Sequence, residues 1–222
     1  MNGMSEAPEN EAEEQTQQPV PPQPIQEILV KNALHVGSRI KVKHMDRFIF
    51  KLRPDGIYLI DIKHTVERLA ITAKFISLFP PEKVVIVSSH VYGRQPVLNF
   101  CELTHTIPVV DKFPPGMFTN RNLEAFMEPS LVLVTDPRYD AQAVAEVSIA
   151  RIPVVAMSST DNVHGDIDLV IPMNNRGRTS LAYAFWYLAR LVLIEKRELS
   201  SEEEMPVSPE DFMTTQALSK SE

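Results

Sequence analysis

This chain has little of what small-molecule chemistry requires. Seven of its 222 residues are glycine, and no two stand close enough to form a backbone anion nest. Neither G-x-G-x-x-G nor G-x-x-x-x-G-K-[ST] occurs, which argues against a dinucleotide or P-loop nucleotide. Cysteine is limited to Cys101, so no internal disulfide can form. The six histidines, His35, His44, His64, His90, His105 and His164, are scattered with neither an H-E-x-x-H pattern nor a cysteine set, so they read as polar surface groups or RNA contacts rather than metal ligands. Ser88-Ser89-His90 lacks the glycines of a nucleophile elbow. No signal peptide and no apolar run of about 18 residues is present, which favours a soluble intracellular protein with no membrane association. No cofactor, metal or small-molecule substrate is expected.

The charge is distributed unevenly. The formal net charge is −7, but residues 1–24 hold five Glu and no Lys or Arg, and residues 198–222 hold six Glu and one Asp against Lys220 alone. The ends account for −5 and −6, which leaves residues 25–197 at +4. Within that core, Lys31, Arg39, Lys41, Lys43, Arg47, Lys51 and Arg53, with His44 among them, face the single acid Asp46. Clustered base on one segment is the footprint of a phosphate contact. It is also compatible with the solvated rim of an ordinary domain.

Residues 1–24 are Glu, Gln and Pro with almost nothing to bury, and should be disordered. Ile25, Ile28, Leu29 and Leu34 suggest a short helix ending before Gly37. RFIF, LRPDG and IYLIDI read as a hairpin turning at Pro54-Asp55-Gly56. Lys63 to Phe79 has helical periodicity and stops at Pro80-Pro81. Val84 to Ser89, Ile107 to Val110, Leu131 to Thr135, Val154 to Met157 and Leu169 to Ile171 are apolar, β-branched runs suited to strands buried on both faces. Helices fall between them, one near Gln95 to Leu103. The last helix aligns Leu181, Phe185, Leu188 and Val192 as a buried stripe. This β-α-β rhythm implies one α/β domain over residues 25–199, a doubly wound three-layer sandwich with about five parallel strands. Residues 200–222 read as an acidic tail in which order fades.

Asp61, Asp136 and Asp161 fall at strand ends, where a receiver-like domain would hold a metal or an acyl-phosphate. The Pro after Asp136 and the Asn after Asp161 suit turn capping equally well, and capping is the expected role. Two loops have a stronger claim to function. Phe113 to Asn122, FPPGMFTNRN, is a stiff loop expected to expose Met117 and Phe118 at its tip, with Lys112, Asn120 and Arg121 as polar contacts. Asn174, Asn175, Arg176 and Arg178 precede the last helix, whose free N–H groups favour anions, and they suit phosphate and ribose. The plainer alternative is a loop that merely caps that helix.

Four phrases, FIFKLRPDGIYLIDI followed by KHT and ERL, FPPGMFTN, DPRYDAQAVAEVSIARIPVVAMSSTDN and DLVIPMNNRGRTSLAYAFWYLAR, closely resemble the small-subunit ribosomal protein S2 family in its archaeal and eukaryotic-cytosolic branch. The resemblance runs from Ile25 to about Leu199. It implies a flavodoxin-like sheet of order 2-1-3-4-5, docked on the solvent side of the small subunit between head and body. It also implies binding to small-subunit ribosomal RNA and neighbouring ribosomal proteins, without enzymatic turnover. The helical hairpin that bacterial members insert is absent. Ser158-Ser159 stand where Cys-Asp is common in the family. Asp111-Lys112 stand where Gly-Arg is common, which removes an arginine from that loop.

Two other functions compete with this one. An enzyme or nucleotide switch on the same sheet would need convergent acids and glycines in one cleft, whereas here Arg, Lys and Asn are spread over several loops. A protein-interaction adaptor at the cell surface would need export, for which the chain carries no signal.

Overall fold

The computed structural model of the chain describes residues 23–200 and 205–213. The expectations for residues 1–22, 201–204 and 214–222 lie outside the described residues. Five apolar runs form one parallel sheet: β3 (Val84–Ser88), β4 (Ile107–Val110), β5 (Leu131–Val134), β6 (Val154–Ser158) and β7 (Leu169–Pro172), in the order β4-β3-β5-β6-β7. The first two strand numbers belong to a separate antiparallel hairpin, β1 (Ile49–Leu52) and β2 (Tyr58–Ile60). Counted among the sheet strands alone, the order is 2-1-3-4-5. Gly56 sits at φ 82° in the hairpin turn, the left-handed region that glycine enters without a steric penalty.

Strand side chains alternate between faces, and this divides the core in two. Val84, Ile86, Leu131, Leu133, Val155, Met157 and Ile171 face α1 (Gln23–Lys31), α2 (Ile62–Ser77), α3 (Arg94–Thr104) and α5 (Arg178–Glu195). Val85, Val87, Val132, Val134, Val154 and Ala156 face α4 (Ala141–Ala150) and the loop that follows β4. The result is an α/β/α sandwich. Leu181, Phe185, Leu188 and Val192 of α5 are fully buried, and Phe185 meets Phe100 edge-on with ring centroids 5.6 Å apart. Asp61 caps α2 by accepting from the Lys63 amide at 2.9 Å, the role expected of it.

Two expectations are corrected. Met117 and Phe118 are not an exposed tip: they are 7% and 4% exposed and pack with Phe113 on the α4 side of the sheet. One helix cannot cover that face, and the loop completes the layer. The domain also does not end at Leu199. Residues 205–213 return to the helical face, where Phe212 is fully buried, Trp186 Nε1 donates to the Val207 carbonyl at 2.9 Å, and Asn99 Nδ2 donates to the Asp211 carbonyl at 2.9 Å. An acidic composition conceals Phe212, which anchors the segment together with the partly buried Met205, Val207 and Met213.

Candidate nucleic-acid interface

The basic segment is held as an arm at the carboxyl edge of the sheet. Val36 bridges Leu59, the Gly37 amide donates to the Tyr58 carbonyl at 2.9 Å, and the Tyr58 amide donates to the Ser38 carbonyl at 3.0 Å. Thr160, just beyond β6, fastens the next residues. Its Oγ1 accepts from the Ser38 amide at 2.8 Å and donates to the Ile40 carbonyl at 2.9 Å, while its own carbonyl accepts from the Val42 amide at 2.8 Å. A Cβ on Gly37 would stand 2.6 Å from Thr160 Cγ2 and 2.8 Å from the Tyr58 carbonyl oxygen, so only glycine permits this approach. Met45 and Phe48 are buried with Val170 and anchor the short 3-10 turn Lys43–Phe48.

Every predicted cation of this segment is exposed: Lys31, Arg39, Lys41, Lys43, Arg47, Lys51 and Arg53, together with His44. Lys41 pairs with Asp46 at 2.7 Å and Arg53 with Asp55 at 2.9 Å. Among the described residues Arg39, Lys43, Arg47 and Lys51 have no carboxylate partner; Arg47 lies over the Phe48 ring at 4.7 Å and Lys51 over Phe50 at 5.7 Å. Burial, followed by Arg53, lowers the pKa of His35; burial, followed by His44 and Arg47, lowers that of His164. Ile40, Phe50 and Leu52 are exposed beside the arm's cations, Phe50 at 67%.

The second predicted loop is locked by Glu146 of α4. Its carboxylate accepts from the Gly116 amide at 2.6 Å, the Phe118 amide at 3.2 Å and Gln142 Nε2 at 2.9 Å. Burial opposes the charge, but these donors outweigh it and hold Glu146 below its ordinary pKa. Lys112, Asn120 and Arg121 remain exposed on the loop surface. Arg121 is bound to Glu128 at 3.0 Å, and Asn120 Oδ1 accepts from the Asn122 amide at 3.1 Å.

The loop after β7 differs from the prediction. Asn175 is fully buried, with Nδ2 donating to the Met157 carbonyl at 3.0 Å, so it cannot reach RNA. Asn174 Oδ1 accepts from the Arg176 and Gly177 amides, both at 3.2 Å, and its own amide donates to the Leu34 carbonyl at 2.8 Å. Asn174 closes the turn ahead of α5 and Asn175 ties that turn to the end of β6, while α5 itself starts from Gly177 with no side-chain cap. Arg176 is a third exposed and turned inward, 2.8 Å from Asp161 Oδ2 and 3.5 Å from Asp136 Oδ2. Arg178 is exposed at the first position of α5, with no partner among the described residues.

Ligands of such sheets sit outside the strand ends where the strand order reverses. In this protein that region is filled by side chains. Asp136 Oδ1 accepts from the Arg138 amide and from Asn162 Nδ2, each at 2.8 Å, in the turn role expected of it. Asp140 Oδ1 accepts from the Ser89 amide at 2.8 Å, and Oδ2 from the Thr135 hydroxyl at 3.2 Å; burial raises its pKa. The Arg176 guanidinium sits between the Asp136 and Asp161 carboxylates. Among the described residues no group of three or more His, Cys, Asp or Glu could hold a metal ion, and no helix is long and apolar enough to cross a membrane.

Sequence reasoning passed over Arg138 and Tyr139. Arg138 is exposed, and Tyr139, 57% exposed, meets His90 edge-on at 5.2 Å. Their signal was the DPRYD turn itself, a positively charged and an aromatic residue at a strand end, read only for its capping acid.

Comparisons with known proteins agree on one family. The family model described as Ribosomal protein S2 matches residues 29–125 and 121–193. The small ribosomal subunit protein uS2 of Thermofilum pendens is 45% identical over 186 residues, which is 84% of this chain and 87% of that protein. The protein of the same name from Aeropyrum pernix is 46% identical over 187 residues, 84% of this chain and 91% of that one. That from Pyrobaculum calidifontis is 45% identical over 183 residues, 82% and 88% respectively.

Proposed function

The chain belongs to the ribosomal protein S2 family, and on that premise we propose that it is a structural constituent of the small ribosomal subunit that grips ribosomal RNA through its hairpin arm. The observation that carries this reading is the set of exposed cations at Arg39, Lys43, Arg47 and Lys51, with no carboxylate to neutralise them among the described residues. Each phosphate they contact releases condensed counterions, a driving force that needs no base reading. Lys31, Lys41, Arg53 and His44 border the same surface. Lys112, Asn120 and Arg121 are exposed on a separate loop after β4, and Arg178 adds a cation at the start of α5, where the helix dipole also favours phosphate. Asn174, Asn175 and Arg176 act behind this surface by holding the loop that presents Arg178.

The fold supplies shape and rigidity, and no turnover is needed: the crevice beyond the strand ends is occupied by the protein's own Arg176. The family works in the cytoplasmic ribosome, and the location we propose for this chain is the solvent side between head and body, against neighbouring ribosomal proteins. The exposed Ile40, Phe50 and Leu52 suit such a protein neighbour. Gradient sedimentation of cell extract tests the assignment. Co-migration of the chain with small subunits at low salt is the expected result, and a chain found only among free proteins would overturn it.

A further inference from the structure

The arm carries more positive charge than its own fold neutralises, and the chain holds a matching excess of negative charge next to it in sequence. Residues 1–22 contain Glu6, Glu9, Glu11, Glu13 and Glu14 and no Lys or Arg. On the arm, Arg39, Lys43, Arg47 and Lys51 are without a carboxylate among the described residues. The acidic segment leads directly into α1. That helix ends at Lys31, and the Asn174 amide donating to the Leu34 carbonyl places its far end at the carboxyl edge of the sheet, where the arm stands. Gln23 is therefore only about 12 Å of helix away. Twenty-two residues reach up to about 70 Å when extended, ample to lie along the hairpin.

Of the other acidic stretch, Glu198 follows α5, whose last turn is about 25 Å along the helix from that edge. Lys196 Nζ donates to the Thr104 carbonyl there, at the end of α3.

We infer that residues 1–22 dock on the basic face of the hairpin arm in the free protein, their glutamates standing in for RNA phosphates, and are displaced when RNA binds. The displacement rests on the RNA-binding reading of the arm; the docking does not. Tethering gives the segment a millimolar effective concentration, enough for weak ion pairs to hold it. RNA phosphates, more numerous and with counterions to release, compete it away. The consequence is selectivity: a free arm would bind any polyanion, and a covered one yields only to RNA that offers several contacts at once.

The test uses the full chain with a nitroxide on Asn10→Cys. Cys101 does not compete for the label, because it is buried and burial raises its thiol pKa to about 12. At about 0.1 M salt, where the screening length is about 10 Å, the label should broaden the amide resonances of Arg39, Lys43 and Lys51. The broadening should disappear at about 1 M salt and in the variant with all five glutamates changed to Gln. Unbroadened arm resonances, or broadening that survives in the Gln variant, would overturn the docking. A short oligouridine then reads the displacement: the Gln variant should bind it about tenfold more tightly than the parent, the scale of a weak intramolecular competitor. Equal affinity would overturn the competition. If the arm is broadened by the label and oligouridine binds neither protein, the docking stands and the RNA-binding reading fails.

Discussion

Arg176 and Asp161 meet at 2.8 Å across the carboxyl edge of the sheet, and this contact turns an apparent RNA-binding arginine into an internal one. Asp136, fully buried, stands 3.5 Å from the same guanidinium. Replacing Arg176 with Ala leaves two carboxylates facing each other with only the exposed Arg138, 3.8 Å from Asp161 Oδ2, as a cation. The expected loss is about 2 kcal/mol, below the 3–5 kcal/mol of a fully buried pair because Arg176 is partly exposed. Arg178→Ala should stay within about 0.5 kcal/mol. Denaturant melts of the two single variants check this, and equal stabilities would place Arg176 outside the network. Millimolar guanidinium added to Arg176→Ala should recover part of the loss.

Glu146 has a testable pH dependence. Its folded-state pKa lies below the ordinary carboxylate value, so the stability it contributes is present above that value and is lost as pH falls through the lower folded one. Glu146→Gln should flatten the parent's decline in melting temperature in that acidic window. At neutral pH it should raise amide exchange at Gly116 and Phe118. Unchanged exchange at both amides would contradict the anchoring role.

Phe212 lies in an acidic, proline-containing stretch yet is fully buried against the helical layer. Phe212→Ala should cost about 3–5 kcal/mol, as for other large aromatics removed from a core. Thermal unfolding of the variant reads this directly, and a loss under about 1 kcal/mol would mark the segment 205–213 as an ornament of the surface.

These sites also mark where the sequence was legible. The strands and helices follow from local rules: β-branched runs such as Val84 to Ser88 require burial on both faces, and Pro54-Asp55-Gly56 requires a turn. The cations of the arm were found because they cluster within one segment. Burial of Met117 and Phe118 was not legible, since it depends on Glu146, about thirty residues away, accepting two amides of their loop. Asn175 and Arg176 look like surface polar residues until their distant partners, Met157 and Asp161, are brought beside them. Local composition also argues against order around Phe212, where Met205, Val207 and Met213 pack on the same core from outside the acidic positions.

Attachment of the arm to RNA is tested most directly by the salt dependence of binding to small-subunit ribosomal RNA, measured on the triple variant Arg39→Glu, Lys43→Glu, Lys51→Glu. All three side chains are exposed, so the circular dichroism melt should match the parent. If they bind phosphate, the slope of log affinity against log salt should flatten by about 2–3, close to one unit for each phosphate no longer neutralised, and incorporation into small subunits should fall. A variant that melts like the parent, binds with an unchanged slope and enters subunits normally would contradict the assignment of the arm to RNA.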